Sequence, residues 1–159
     1  MKKFFGFCLV FLLFGAAYGF SQIGTALGFS QNPRMYRCTE LRSGLLNGST
    51  AVPDQSGTVQ SVTVQNTVNG GMNVQINYKN GTMESMTFTN PITNSRGNKR
   101  NYNVSHINSQ PASFLFAQVF TDSIGEIIQI EVSTRIATDN YTGDLFLIDL
   151  VISISLQPW

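Results

Sequence analysis

Two stretches near the C-terminus decide the reading of this chain: Glu126–Ile136, EIIQIEVSTRI, and Leu145–Leu156, LFLIDLVISISL. In the first, Ile128, Ile130, Val132 and Ile136 share one parity, with Gln129, Glu131, Ser133 and Arg135 on the other. In the second, Phe146, Ile148, Leu150, Ile152, Ile154 and Leu156 make an even-numbered apolar row. Successive side chains of an extended chain point to opposite faces, so a period of two over this length predicts half-buried β-strands. Between them Asp139–Asp144, DNYTGD, consists of turn formers, and the pair reads as a hairpin.

Upstream, the same pattern repeats in shorter pieces. Thr58–Val68 is rich in Val and Thr, and Asn69-Gly70-Gly71 makes a turn. Met72, Val74, Ile76 and Tyr78 then alternate with Asn73, Gln75, Asn77 and Lys79. Asn80-Gly81 is a dipeptide favoured in type I′ turns, where both central residues take positive φ. Met83–Thr89 follows as a third strand, broken at Asn90-Pro91. Asn94–Asn101 reads as a polar loop, and Tyr102, Val104 and His106 share a parity in a short strand ended by Pro111. Ser113–Thr121, with Phe114, Leu115, Phe116, Val119 and Phe120, is apolar on both faces, as a covered strand is.

The N-terminal third is less regular. Lys2 and Lys3 precede an apolar run, Phe4–Phe14, and the small residues Gly15–Gly19. This has the form of a secretory signal peptide cleaved before Phe20, and the run is shorter than the roughly 20 residues of a spanning helix. The chain therefore divides into a leader, residues 1–19, and one domain, residues 20–159, whose first residues (20–32) form a loose arm. Pro33–Ser43 reads two ways. Asn32, Pro33 and Gly44 suit the cap, first turn and end of a short helix. As a strand, neither face is cleanly apolar, but the β-rich chain that follows favours it.

The pattern predicts an all-β, antiparallel fold of about seven to eight strands, because sequential strands on short turns pair as neighbours. A sheet with one apolar face must cover it. The long closing strands favour a single barrel over a two-sheet sandwich.

Composition excludes several function classes. Without Lys2 and Lys3, eight Lys and Arg stand against nine Asp and Glu, so no basic field exists for nucleic acid. Cys38 is the one cysteine beyond the leader, which leaves no internal disulfide and suggests a buried, apolar thiol. His106 is the only histidine, and one His with one Cys falls short of a zinc ligand set. No Gly-x-Ser-x-Gly elbow or Gly-rich phosphate loop is present. Asp122 with Glu126, and Asp139 with Asp144, flank turns and read as turn formers rather than as calcium ligands or an acid–base pair. Arg96, Lys99 and Arg100 read as a solvated cluster. The four Asn-x-Ser/Thr triplets, at Asn47, Asn80, Asn103 and Asn140, carry no weight in a chain with 14 Asn.

No catalytic, cofactor-binding or metal-ligating residue is singled out. The expected function is a non-enzymatic exported protein, periplasmic or secreted and bacterial in style. It would bind either a small apolar ligand inside the barrel or a protein or glycan partner on its Asn/Gln/Thr face. A cavity lined by Phe114, Phe116 and Phe120 would favour the first, a solid core the second. The competing reading is a small outer-membrane barrel with a structural or adhesive role, its apolar face towards lipid.

Overall fold

The structure is a computed structural model and describes residues 31–46, 52–92, 97–108 and 110–159. The expected leader and residues 20–30 of the arm lie outside the described residues. Eight strands follow one another: β1 (Arg34–Leu46), β2 (Val59–Asn66), β3 (Met72–Tyr78), β4 (Met83–Pro91), β5 (Lys99–Ile107), β6 (Gln110–Thr121), β7 (Ile127–Thr138) and β8 (Leu145–Pro158). Each pairs antiparallel with the next, and β8 pairs with β1, so the sheet closes on itself as a barrel. Pro33–Ser43 takes the strand reading. Among the described residues the one helical piece is a single 3₁₀ turn, Ser56–Thr58.

The apolar rows turn inward. Val62, Val64, Val74, Ile76, Met86, Phe88, Tyr102, Val104, Ala117, Val119, Ile130, Val132, Ile154 and Leu156 form one buried cluster. An eight-stranded barrel is just wide enough for side chains to fill it. Tyr102 and Phe88 span its middle with ring centroids 5.9 Å apart.

The ring is not equally tight all round. β1 pairs β2 only over Arg34–Tyr36, and β6 pairs β7 only from Phe116 to Thr121. Both seams are closed at the end that carries Arg34 and Pro158, and both part towards the other end. At the first seam the preceding loop fills in. Gln55 donates its N–H to the Leu41 carbonyl at 2.7 Å, and Asp54 Oδ1 accepts the Leu41 N–H at 2.9 Å.

Strand parity breaks wherever one strand carries an extra residue. Thr39 is extra between Cys38 and Glu40, so Tyr36 and Cys38 face inward before it and Leu41 after it. That switch is why neither parity of Pro33–Ser43 looks apolar in the sequence. Ser105 is extra on β5, which turns His106 outward and brings Ile107 opposite Met86. Ile128 is extra on β7 and is exposed, while Ile127 joins the core. Val151 is extra on β8, so the even-numbered row seen in the sequence does not lie on one face: Ile152 and Ile154 face inward, whereas Phe146 and Ile148 are exposed. β-bulges do this by opposing two residues to one.

Two sequence boundaries also move. Lys99–Asn101 belong to β5 rather than to a polar loop, and Pro111 lies within β6, whose outer edge is unpaired there, as proline requires. The Asn80-Gly81 turn is not type I′. Gly81 alone has positive φ, 84°, its N–H donates to Tyr78 O, and Tyr78 N–H donates to Thr82 O. This is a three-residue loop with a left-handed glycine, and the same pattern recurs in Thr67–Gly71 and Asp122–Glu126.

The inward rows set the stability. Ile130→Ala, at a position with no solvent exposure, is expected to cost about 2–5 kcal/mol in urea unfolding. Asn73→Ala, outward on β3, is expected to change stability by less than about 0.5 kcal/mol.

Candidate functional site

The outward positions of β2, β3 and β4 carry no charged side chain. Across the sheet they make rows: Thr63, Gln75 and Ser85; Gln65, Asn73 and Thr87; Thr89, Asn103 and Phe116. Each row alternates with inward Val, Ile, Met or Phe, so the face is uncharged and largely polar by the same pairing that builds the core. A part of it is already bonded to itself: Gln75 donates to Asn77 at 2.7 Å, and Asn77 to Ser61 at 3.1 Å.

Next along β5 and β6, the outer face is covered by the protein's own chain. Beyond Ser133 and Val151 the β7–β8 hairpin leaves the barrel wall as an arm. Ser133 anchors its base: the hydroxyl donates to the Ile148 carbonyl and accepts the Arg135 N–H at 3.1 Å. Asp149 takes φ 55° there, and its carboxylate pairs with Arg135 at 2.7 Å. The tip lands on outward residues of β5 and β6. Leu145 O accepts from Gln118 Nε2 at 2.8 Å and from Lys99 Nζ at 3.0 Å, and Gln118 Nε2 also donates to Asn101 Oδ1 at 2.7 Å. Lys99 pairs with Asp144 at 3.0 Å and lies 5.7 Å from the Phe146 ring centre. Asn101, Gln118 and Leu145 are buried as a result, outside the main core.

Beside this clamp, still on the outer face, β6 bulges by more than one residue. Val104 opposes Leu115 and His106 opposes Pro111, so Ala112, Ser113 and Phe114 stand against Ser105 alone. Phe114 has φ 71°, a left-handed conformation that costs an ordinary L-residue about 1–2 kcal/mol. The kink cancels the alternation there. Ala112 and Leu115 pack on the core, while Ser113 and Phe114 both point to solvent, Phe114 at 85 % exposure. Leaving such a ring in water forgoes about 1.5–3 kcal/mol of burial. An open groove of about 370 Å³ runs beside it, lined by Thr89, Asn103, Val104, Ser105, Ala112, Ser113, Phe114, Leu115 and Phe116. None of these is ionisable. Thr89 and Ser105 spend their hydroxyls on the carbonyls of Asn103 and Thr87, each at 3.2 Å, whereas the Asn103 amide and Ser113 hydroxyl have no partner among the described residues.

The residues weighed from the sequence are not gathered. His106 is exposed on the outside, with Nδ1 3.1 Å from Ser105 Oγ. Cys38 lies at an inward position, its Sγ 3.3 Å from Glu40 O, and burial pushes the thiol up to about 11, so it is no thiolate at neutral pH. Asp122 Oδ1 accepts the N–H groups of Ile124 and Glu126, and Asp139 Oδ1 those of Tyr141 and Thr142. Glu126 turns to the closed end of the barrel, where Arg34 and Tyr36 both donate to it. At an inward position near the open end Tyr78 donates to Glu84 at 2.9 Å; burial, then Glu84, raises the phenol. Among the described residues no three His, Cys, Asp or Glu side chains gather as a metal site would require. Arg96 lies outside the described residues, Lys99 is held by the arm, and Arg100 bonds to Tyr102. Phe114, Phe116 and Phe120 are on outward positions of β6, so they line no interior cavity. Sequence reasoning missed the groove because nothing in Ala112-Ser-Phe-Leu115 announces a left-handed phenylalanine.

Compared with family models, with curated proteins and with solved structures, the chain matches none.

Two consequences of this outer face are measurable. Gln118→Ala removes the donor that Leu145 O and Asn101 Oδ1 share and leaves Leu145 O with Lys99 alone; it is expected to cost about 1–3 kcal/mol, with faster amide exchange confined to the arm. Glu131, outward between Gln118 and Ser153, has its carboxyl raised by desolvation. A raised folded-state value means that the folded protein holds this proton more tightly than the unfolded chain. Stability from this group is therefore present at acid pH and lost as pH rises through the raised value. Glu131→Gln is expected to raise the urea midpoint at pH 7 and to leave it unchanged at pH 4.

Proposed function

We propose that the protein is an exported, non-enzymatic surface-interaction module, which binds a neutral hydrogen-bonding partner on the outer face of β2–β6. The observation that carries this reading is the sidedness of the sheet. The interior is lined with Val, Ile, Met, Phe and Tyr side chains, and the outward positions of β2–β4 carry rows of Asn, Gln, Thr and Ser. That filled interior favours recognition on the surface over a small apolar ligand at the centre. A lipid-facing barrel needs the reverse arrangement, apolar outside and polar within. Export rests on the leader pattern of residues 1–19. The balanced charge fits a neutral partner better than nucleic acid or an anionic surface.

Fractionation of cells expressing the full chain tests the reading. Protein is expected in the soluble periplasmic or culture fraction, with the same gel mobility whether boiled or not. Protein that needs detergent and runs faster unboiled would overturn it in favour of the outer-membrane barrel. For the face itself, Asn73→Asp with Gln75→Glu places two charges in the neutral rows. The pair is expected to leave the unfolding midpoint almost unchanged while abolishing retention on the producing cells' washed envelope and extracellular polysaccharide; unchanged retention would exclude this face.

A further inference from the structure

We propose that the groove beside Phe114 is a subsite for a neutral saccharide, with the phenyl ring as its stacking platform and Asn103 and Ser113 as its hydrogen-bonding groups. This rests on the surface-binding reading above and deepens it. The argument begins with the bulge. A bulge re-aims side chains, and this one places Ser113 and Phe114 on the same, outer side, next to Asn103 across the ladder. A phenylalanine that is both left-handed and exposed serves no packing purpose, and strain of that kind concentrates at binding sites.

The chemistry of the walls then selects the ligand. A pyranose presents a face of C–H groups and a rim of hydroxyls that both donate and accept. The ring of Phe114 matches the first, and the Asn103 amide and Ser113 hydroxyl, each without a partner among the described residues, match the second. No Lys, Arg, Asp or Glu lines the groove, so a charged sugar, a phosphate or an anionic lipid would find no counter-ion. The groove's volume of about 370 Å³ suits a short oligosaccharide that lies on the surface. The neighbouring Asn101–Gln118–Leu145 clamp holds β5 and β6 together beside the groove.

The test uses the full chain and a panel of uncharged oligosaccharides (gluco-, manno-, xylo- and N-acetylglucosamine series) with oligogalacturonate as the charged control. Titration is followed by calorimetry and by amide chemical shifts. At least one neutral series is expected to bind, with shifts centred on Thr89, Asn103, Ser113 and Phe114. Phe114→Ala should weaken binding at least tenfold and Asn103→Ala severalfold, while Phe114→Tyr retains it. Phe114→Gly, which removes both ring and strain, should lose binding without lowering the melting temperature. Binding of none of the neutral series, or of oligogalacturonate alone, would overturn the proposal, as would neutral binding untouched by Phe114→Ala. If such binding is lost instead in Asn73→Asp/Gln75→Glu, the neutral face remains the binding surface and only the groove is wrong. A detergent-requiring protein in the fractionation test would remove both readings.

Discussion

A closed sheet of eight strands is just wide enough for the side chains at its inward positions to fill it. In this protein that condition is met by an almost wholly aliphatic and aromatic interior, with Tyr102 and Phe88 across the middle and valines and isoleucines on the walls. On β2–β4 the outward side is then left mostly to Asn, Gln, Thr and Ser by simple alternation. Both the stability of the molecule and the character of its surface follow from this one constraint.

The constraint is local, but the chain departs from strict alternation at several places, and each departure has an identifiable residue. Thr39, Ser105, Ile128 and Val151 are single extra residues that shift one strand against its neighbour. After each shift the core positions change parity, and the interior stays apolar. The larger bulge at Ala112–Phe114 differs in outcome, because it sends a large apolar ring outward. The shift at Val151 does more than correct register: it releases the β7–β8 hairpin from the wall, and the freed arm covers Asn101 and Gln118.

The long alternating strands were legible from residue order alone, including β3, β4 and the central parts of β7 and β8. At Pro33–Ser43 the strand was only the favoured of two readings, because Thr39 blurs its alternation. What could not be read was where parity changes. Ile128, Phe146 and Ile148 share a parity with Ile130 and Ile154, yet only the latter two are inward. Lys99 and Asn101 look like loop residues because their partners, Gln118, Asp144 and Leu145, lie 17 to 46 positions away. Phe114 and Phe116 look like core for the same reason: an apolar run carries no mark of the bulge within it.

The sequence by itself determined the all-β, antiparallel fold class and the apolar character of one sheet face. Those properties depend on residue type and a period of two, which are local. Tertiary structure alone decided that the sheet closes from β8 to β1, which residues are extra at each bulge, and that an arm covers part of the outside. It also decided that a strained phenylalanine borders an uncharged groove. These depend on register between distant strands, and register is set by the whole ring closing around a filled interior.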